Sequence, residues 1–195
     1  SKEKTTEIPQ IIITDELRSI LSLLENTNDN YFLTGNAGTG KTTLIKLFRA
    51  QTKKKVVVLA PTGIAAFNVE GQTIHKFFHF PPRIITPQVV IHEIFTNDRI
   101  FKVIDTIIID EVSMVRADVF DGIDASMRAR GRDNSKPFGG TQIILVGDPY
   151  QLPPVITSTE EPILSKIYKT PYFFSTEAYQ KGNFRFLELT EIHRQ

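Results

Sequence analysis

An α/β fold built on a doubly wound parallel sheet is predicted by three observations on this chain. Short apolar runs bounded by turn residues recur along it, stretches of helical spacing lie between them, and a glycine-rich loop joins the first run to the helix that follows. Buried parallel strands read as continuous apolar runs of this kind. Strands alternating with helices wind such a sheet on both faces and put ligands at the carboxyl ends of the strands. At 195 residues and 41% hydrophobic, the chain suits one large domain with a sizeable core.

The elements follow in order. In residues 13–24, Leu17, Ile20, Leu21 and Leu24 share one helical face, with Thr14 placed to cap the start. The runs Tyr31–Thr34, Val56–Ala60, 104–109 and 143–146 are strands, and 184–189 is a weaker one. A helix is expected over 43–50, and Val119, Ile123 and Met127, with Phe120 alongside, mark another. Prolines 81, 82 and 87 among aromatics make 77–87 an ordered excursion on the ligand face, and the polar, glycine-rich stretch 131–140 is a loop.

Gly35-Asn36-Ala37-Gly38-Thr39-Gly40-Lys41-Thr42 matches the P-loop pattern G-x-x-x-x-G-K-[ST] in the context that pattern requires, after a strand and opening a helix. The loop's amides form a nest for phosphate oxygens, Lys41 adds a point charge, and Thr42 offers a hydroxyl to Mg²⁺. Thr43 completes the nucleotide-binding stretch. The ligands expected here are a nucleoside triphosphate and Mg²⁺. Asp110-Glu111 ends the most apolar run, which sets two carboxylates at the carboxyl end of a central strand. The first suits a metal and the second a general base for the attacking water. The next strand runs into Gly147-Asp148-Pro149-Tyr150-Gln151-Leu152-Pro153-Pro154. Gln151 is the candidate γ-phosphate sensor, since an amide both donates and accepts, and the two prolines stiffen the exit so that a change at Gln151 moves the following segment as a unit.

Two further stretches follow the second strand: Ala60 to Ala66, with Thr62 and Gly63, and Thr73 to Phe78, with His75, Lys76 and Phe77. Thr62 and the Gly63 amide can bond backbone phosphates, and His75 or Phe77 can stack on bases, the sequence-tolerant way to hold a single strand. Core packing is the competing reading of His75, Phe77 and Phe78. Between Lys41 and Arg83, eight Lys/Arg stand against the single Glu70, so a net charge of +1 hides a section of +7 where a polyanion would sit. Arg194, after the last strand, is a candidate arginine for the γ-phosphate.

With no cysteine, disulfides and thiolate metal sites are excluded, and the four scattered histidines make no zinc pattern. No apolar run approaches the roughly 20 residues that span a bilayer, and the first residues lack the apolar centre of a signal peptide. The sequence therefore reads as a soluble intracellular protein.

Taken together, GNAGTGKT, APTGIAA, TIHKFF, IIIDEVSM, FGGTQIILVGDPYQLPPV, PYFFSTEAY and LTEIHRQ resemble the amino-terminal motor domain of the petite-integration-frequency helicases of superfamily one, relatives of the RecD-type helicases. The resemblance runs from about Leu33 to Gln195 and implies a RecA-like lobe over residues 1–195. It further implies an ATP-driven enzyme that moves five-prime to three-prime on single-stranded DNA, unwinds duplexes and G-quadruplexes, and serves DNA repair, recombination and telomere maintenance, acting as a monomer. In that family the equivalents of Lys41, Thr42, Asp110, Glu111, Gln151 and Arg194 bind phosphate, hold metal, activate water and cage the γ-phosphate. Residues matching Thr62, Gly63, His75 and the Pro153-Pro154 turn lie along the DNA. The compartment implied is the cytoplasm in a bacterium, or the nucleus or mitochondrion in a eukaryote.

Two departures stand out. The glutamine that usually bonds adenine has no counterpart near residues 13–17, Gln10 being a distant candidate, so adenine selectivity is open. The chain also stops where the family's fourth motif begins, so it reads as one lobe of a two-lobe motor, expected to bind nucleotide weakly, hydrolyse slowly and unwind nothing alone. A stand-alone regulatory ATPase and an RNA helicase are the alternative readings.

Overall fold

The computed structural model describes residues 13–36, 38, 40–93 and 99–190. Helix α1 (Asp15–Asn26) leads to β1 (Tyr31–Thr34), α2 (Lys41–Gln51), β2 (Val56–Ala60) and α3 (Gly63–Asn68). A two-residue strand β3 (Gln72–Thr73) precedes the short helices α4 (Ile74–Phe78), α5 (Pro87–His92) and α6 (Ile100–Val103). Then come β4 (Thr106–Ile109), α7 (Ala117–Arg130), β5 (Gln142–Val146), α8 (Glu161–Leu164), α9 (Glu177–Lys181) and β6 (Arg185–Glu188). The strands make one six-stranded parallel sheet in the order β3-β2-β4-β5-β1-β6.

The sheet is wound on both faces, as its strand sequences require. Phe32, Leu59, Ile107, Ile109, Ile143 and Leu145 bury on one side with α4, α5 and α7. Their neighbours Leu33, Val58, Ile108, Ile144 and Val146 bury on the other with α1 and α2. The period of two along each strand supplies both cores at once. The Thr14 hydroxyl accepts from the Leu17 amide at 3.2 Å, capping α1 with the face expected of it turned inward.

β1 and β2 take the residues predicted for them. β4 begins two residues into its run, because Ile104 caps α6 and the Asp105 carboxylate accepts from the Lys55 amide at 2.8 Å. The loop at 131–140 is less polar than its composition: Phe138 is wholly buried, its ring 5.6 Å from that of Phe120. The excursion at 77–87 is also corrected. Phe77, Phe78, Phe80 and Ile85 join the core, while His79, Pro82, Arg83 and Pro87 are exposed.

The amino edge of the sheet is fastened by one buried amide. Gln142 Oε1 accepts from Thr106 Oγ1 at 2.7 Å and Lys54 Nζ at 3.0 Å, while Nε2 donates to the carbonyls of Thr27 and Asp29 at 3.2 and 2.9 Å. Every hydrogen-bonding position of that side chain is used.

Candidate functional site

The carboxyl edge is built differently. β1 ends at Thr34 and the chain turns through Gly35 and Gly38 to Gly40, whose φ of 90° caps α2 in a conformation natural to glycine. Lys41 and Thr42 are the first residues of α2, where the helix's first amides have no partner within the helix. Lys41 Nζ folds back onto the carbonyls of Gly35 at 2.5 Å and Asn36 at 3.1 Å, so it stands over the mouth of the loop. Thr42 is exposed and Thr43 half-buried beside it. Ala37, Thr39, Gln10 and Arg194 lie outside the described residues.

Asp110 follows β4 and is 7% exposed. Burial, reinforced by the neighbouring Glu111 carboxylate, pushes its carboxyl up to about 6, against the Glu111 amide and the Lys41 charge, which favour the anion. A buried carboxylate beside one lysine is a place a cation would neutralise. Among the described residues no cluster of three or more His, Asp or Glu side chains could hold a metal. The Asp110 carboxylate and the Thr42 hydroxyl are hard oxygen donors of the kind Mg²⁺ takes, one or two carboxylates with substrate phosphates and water completing its shell.

Glu111 has left-handed backbone angles, φ 51° and ψ 43°, which swing the chain from β4 into the turn Val112–Met114. Gly147, at the end of β5, lies against that turn: a β-carbon there would sit 3.1 Å from the Val112 amide nitrogen. The Asp148 carboxylate accepts from the Tyr150 amide at 2.9 Å, and the Gln151 amide bonds the Asp148 carbonyl at 3.1 Å. The Ser113 hydroxyl donates to the Leu152 carbonyl at 3.0 Å, tying the two loops together. Glu111 and Gln151 thereby share an open cleft of about 810 Å³ with Thr62, Ala65 and Pro153.

Thr62 caps α3 through the Ala65 amide at 3.2 Å, which leaves Gly63 exposed at the helix's first position. His75 is half-buried with its ring edge-on to Phe80, and Lys76 is exposed. His75, Thr62 and Arg83 line a second hollow, of about 290 Å³, beside the cleft.

Three expectations are corrected. Phe77 is 7% exposed and packs edge-on against Phe101 at 5.3 Å, so its ring is core and offers nothing for a base to stack on. Pro154 is buried, leaving Pro153 as the proline that faces solvent. The basic section does not form one patch. Lys53, Lys54 and Lys55 precede β2 at its amino end, across the sheet from Thr62, and Lys54 Nζ and Arg49 are taken up by backbone carbonyls. Lys41, Lys76 and Arg83 remain on the ligand side, Arg83 paired with Glu93. Ser113, Arg116 and Gly147 were not singled out in the sequence; their importance lies in contacts with residues distant along the chain.

A phosphate-type loop between β1 and α2 and an acidic pair after β4, on an all-parallel sheet, define a P-loop nucleoside-triphosphatase lobe of RecA-like form. A family model for PIF1-like helicases matches residues 12–195, and the chain belongs to that family. It is 34% identical over 200 residues to the ATP-dependent DNA helicase PIF1 of Xenopus laevis, with 100% of this chain aligned to 30% of that protein. It is 36% identical to the ATP-dependent DNA helicase Pif1 of Campylobacter jejuni, with 92% of this chain aligned to 39% of that protein. The crystal structure of Pif1 helicase from Bacteroides in complex with ADP-AlF3 and ssDNA superposes with a TM-score of 0.84 at 38% identity, covering 94% of this chain and 43% of that one. The chain thus spans well under half the length of these relatives. Among the described residues no helix is long and apolar enough to cross a membrane.

Proposed function

We propose that this chain is the first motor lobe of an ATP-driven DNA helicase, and that in a two-lobe enzyme it moves five-prime to three-prime along single-stranded DNA, opening duplexes and G-quadruplexes. The observation that carries the reading is the shared cleft: Glu111 and Gln151 open onto the same space as Thr62 and Pro153. Chemistry and strand would then meet across a few ångströms, as a motor needs. The single strand and ADP-AlF3 held by the Bacteroides relative support bringing both ligands to this chain.

In this reading the amides around Gly35 to Gly40 cradle phosphates, and Lys41 exchanges its two carbonyl partners for phosphate oxygens. A magnesium ion on the Thr42 hydroxyl and the Asp110 carboxylate would neutralise phosphate charge. Glu111 takes the proton of the attacking water, and Gln151 reports whether the γ-phosphate is present by exchanging hydrogen bonds with it. Arg194 is assigned to the same phosphate. Thr62, Gly63, His75, Lys76 and Pro153 lie along the strand, where phosphate contacts hold it without reading sequence.

The test is fluorescence anisotropy of a labelled oligothymidine titrated with the chain at stated low salt, with and without a non-hydrolysable Mg-ATP analogue. Saturable binding that falls with His75→Ala is the expected result. An oligothymidine that stays unbound with or without nucleotide would overturn the reading in favour of an ATPase that touches protein, and preference for oligouridine would turn it to RNA.

A further inference from the structure

Arg116 follows Glu111 by five residues, and its mostly buried guanidinium joins three segments of the chain. Its Nε and Nη2 meet the Asp118 carboxylate at 2.5 and 3.0 Å. Asp118 is 1% exposed and also accepts from the Ile85 amide at 2.7 Å, so this arm secures the excursion that carries Arg83. Arg116 Nη1 reaches across to Glu160 Oε2 at 3.0 Å.

Glu160 stands nine residues after Gln151, at the far end of the segment stiffened by Pro153 and Pro154. It belongs to a reciprocal cap: its carboxylate takes the Thr157 amide at 3.0 Å, and the Thr157 hydroxyl takes the Glu160 amide at 3.3 Å. The start of the same segment is pinned where Ser113 holds the Leu152 carbonyl. Val155, between the two fixed points, walls the hollow that contains His75 and Thr62. The segment from Gln151 to Glu160 is therefore one bracket, with its sensor end in the nucleotide cleft and its capped end on Arg116.

The two arms of Arg116 differ in how easily they let go. Losing the partner of a buried carboxylate such as Asp118 is strongly destabilising. Glu160 keeps 21% of its side-chain exposure against 1% for Asp118, so water reaches its carboxylate when Arg116 withdraws and release costs less there than at Asp118. Arg116 can thus stay on Asp118 while Glu160 comes and goes.

We propose that the Arg116–Glu160 contact is a releasable latch coupling the nucleotide cleft to the single-strand hollow, with both side chains acting as positioning residues. The inference rests on the motor reading above. A change of hydrogen bonding at Gln151 shifts the proline-stiffened bracket, and the latch decides whether that shift moves the wall facing His75 and Thr62.

Thermodynamic coupling measures this without turnover, because two ligands that share a conformational change alter each other's affinity reciprocally. The oligothymidine Kd is measured by anisotropy with and without a saturating Mg-ATP analogue, and the ratio is the coupling. For the wild type a ratio of at least about fivefold is expected. Glu160 and Arg116 also line the hollow, so Glu160→Ala will move the strand Kd with and without nucleotide alike, and the latch is read only from their ratio, which should fall to about one; Glu160→Gln, which keeps a hydrogen-bonding head, should restore part of it. Arg116→Lys should match Glu160→Ala, since an ammonium lacks the fork that serves both carboxylates. Should that variant melt, Glu160→Ala decides alone. Full coupling in Glu160→Ala, or a wild type that binds both ligands with a ratio of one, overturns the latch alone. A wild type that binds no strand overturns the motor reading and the latch with it.

Discussion

The Ser113 hydroxyl donates to the Leu152 carbonyl at 3.0 Å, and through that bond the loop carrying Glu111 and the loop carrying Gln151 hold each other in place. Ser113 is 1% exposed, so water does not readily replace it. Ser113→Ala should cost about 1 kcal/mol and lower the melting temperature by roughly 2–4 °C, the scale for a chain of this size. Turnover should fall by more than nucleotide affinity, because the bond sets the spacing of the two side chains proposed to face the reaction and not the proposed phosphate cradle. Equal losses in both, by single-turnover kinetics and calorimetry, would refute this division.

Gly147 has little room for a side chain. In Gly147→Ala the new methyl would press on the Val112 amide nitrogen and its Cγ1, at 3.1 and 3.2 Å, and displace the turn next to Glu111. Overpacking of this kind costs about 1–3 kcal/mol. Nucleotide binding is expected to survive with hydrolysis impaired, and an unimpaired Gly147→Ala would mean that the turn yields without moving Glu111.

Lys41→Ala should lose nucleotide affinity by about 100-fold or more, about 2.7 kcal/mol. Its melting temperature should change by no more than a few degrees, because of the two carbonyls it releases that of Asn36 is exposed and that of Gly35 only partly buried. Glu111→Gln should do the reverse, binding nucleotide and failing to turn it over; calorimetry with a phosphate-release assay separates the two.

Charges on opposite edges of the sheet should behave differently toward a strand. Lys76→Ala is expected to reduce the slope of log affinity against log salt by about 0.7, one phosphate contact on a single strand. Lys53→Ala, at the amino end of β2, should leave the slope unchanged. A matching change in both would show that the strand crosses the amino edge as well.

His75 should stay neutral near pH 7. Burial, then the positive charge of Arg116, holds its imidazole below the ordinary 6.5, with Asp118 pulling the other way. The unfolded chain takes up a proton as the pH falls through 6.5 while the folded chain resists, so this contribution is present above 6.5 and is lost on acidification through the lower native value. Urea midpoints of wild type and His75→Gln at about pH 7.5 and about pH 5.5 should show the variant gaining on the wild type at the lower pH. A constant difference would place His75 in an unperturbed environment.

The fold and the candidate site rest on contacts of two kinds, not equally readable from the residues. β1 and β2 were legible to the residue because a buried parallel strand is apolar throughout and ends abruptly at its turns. β3 was not: two residues carry no period, and Gln72 and Thr73 are a strand only because Leu59 and Ala60 lie beside them. The P-loop and the acidic pair announced themselves through local spacing, and the structure puts them on the same edge. Phe77 and His75 sit two residues apart on α4, a spacing at which one side chain can be core and its neighbour rim, and composition does not say which. Lys53 to Lys55 show the matching weakness of charge counting, which gives sign without direction. The Arg116–Glu160 contact joins residues 44 apart and has no local signal at all.

The amide of Gln142 sets the sheet's boundary condition. With β5, β4, the approach to β1 and the Lys54 side chain all fastened to it, the strands are riveted at their amino ends. A displacement begun at the opposite edge cannot be absorbed by the strands splaying there. It has to be spent in the loops at the carboxyl edge, so the sheet serves as the fixed bed of a lever.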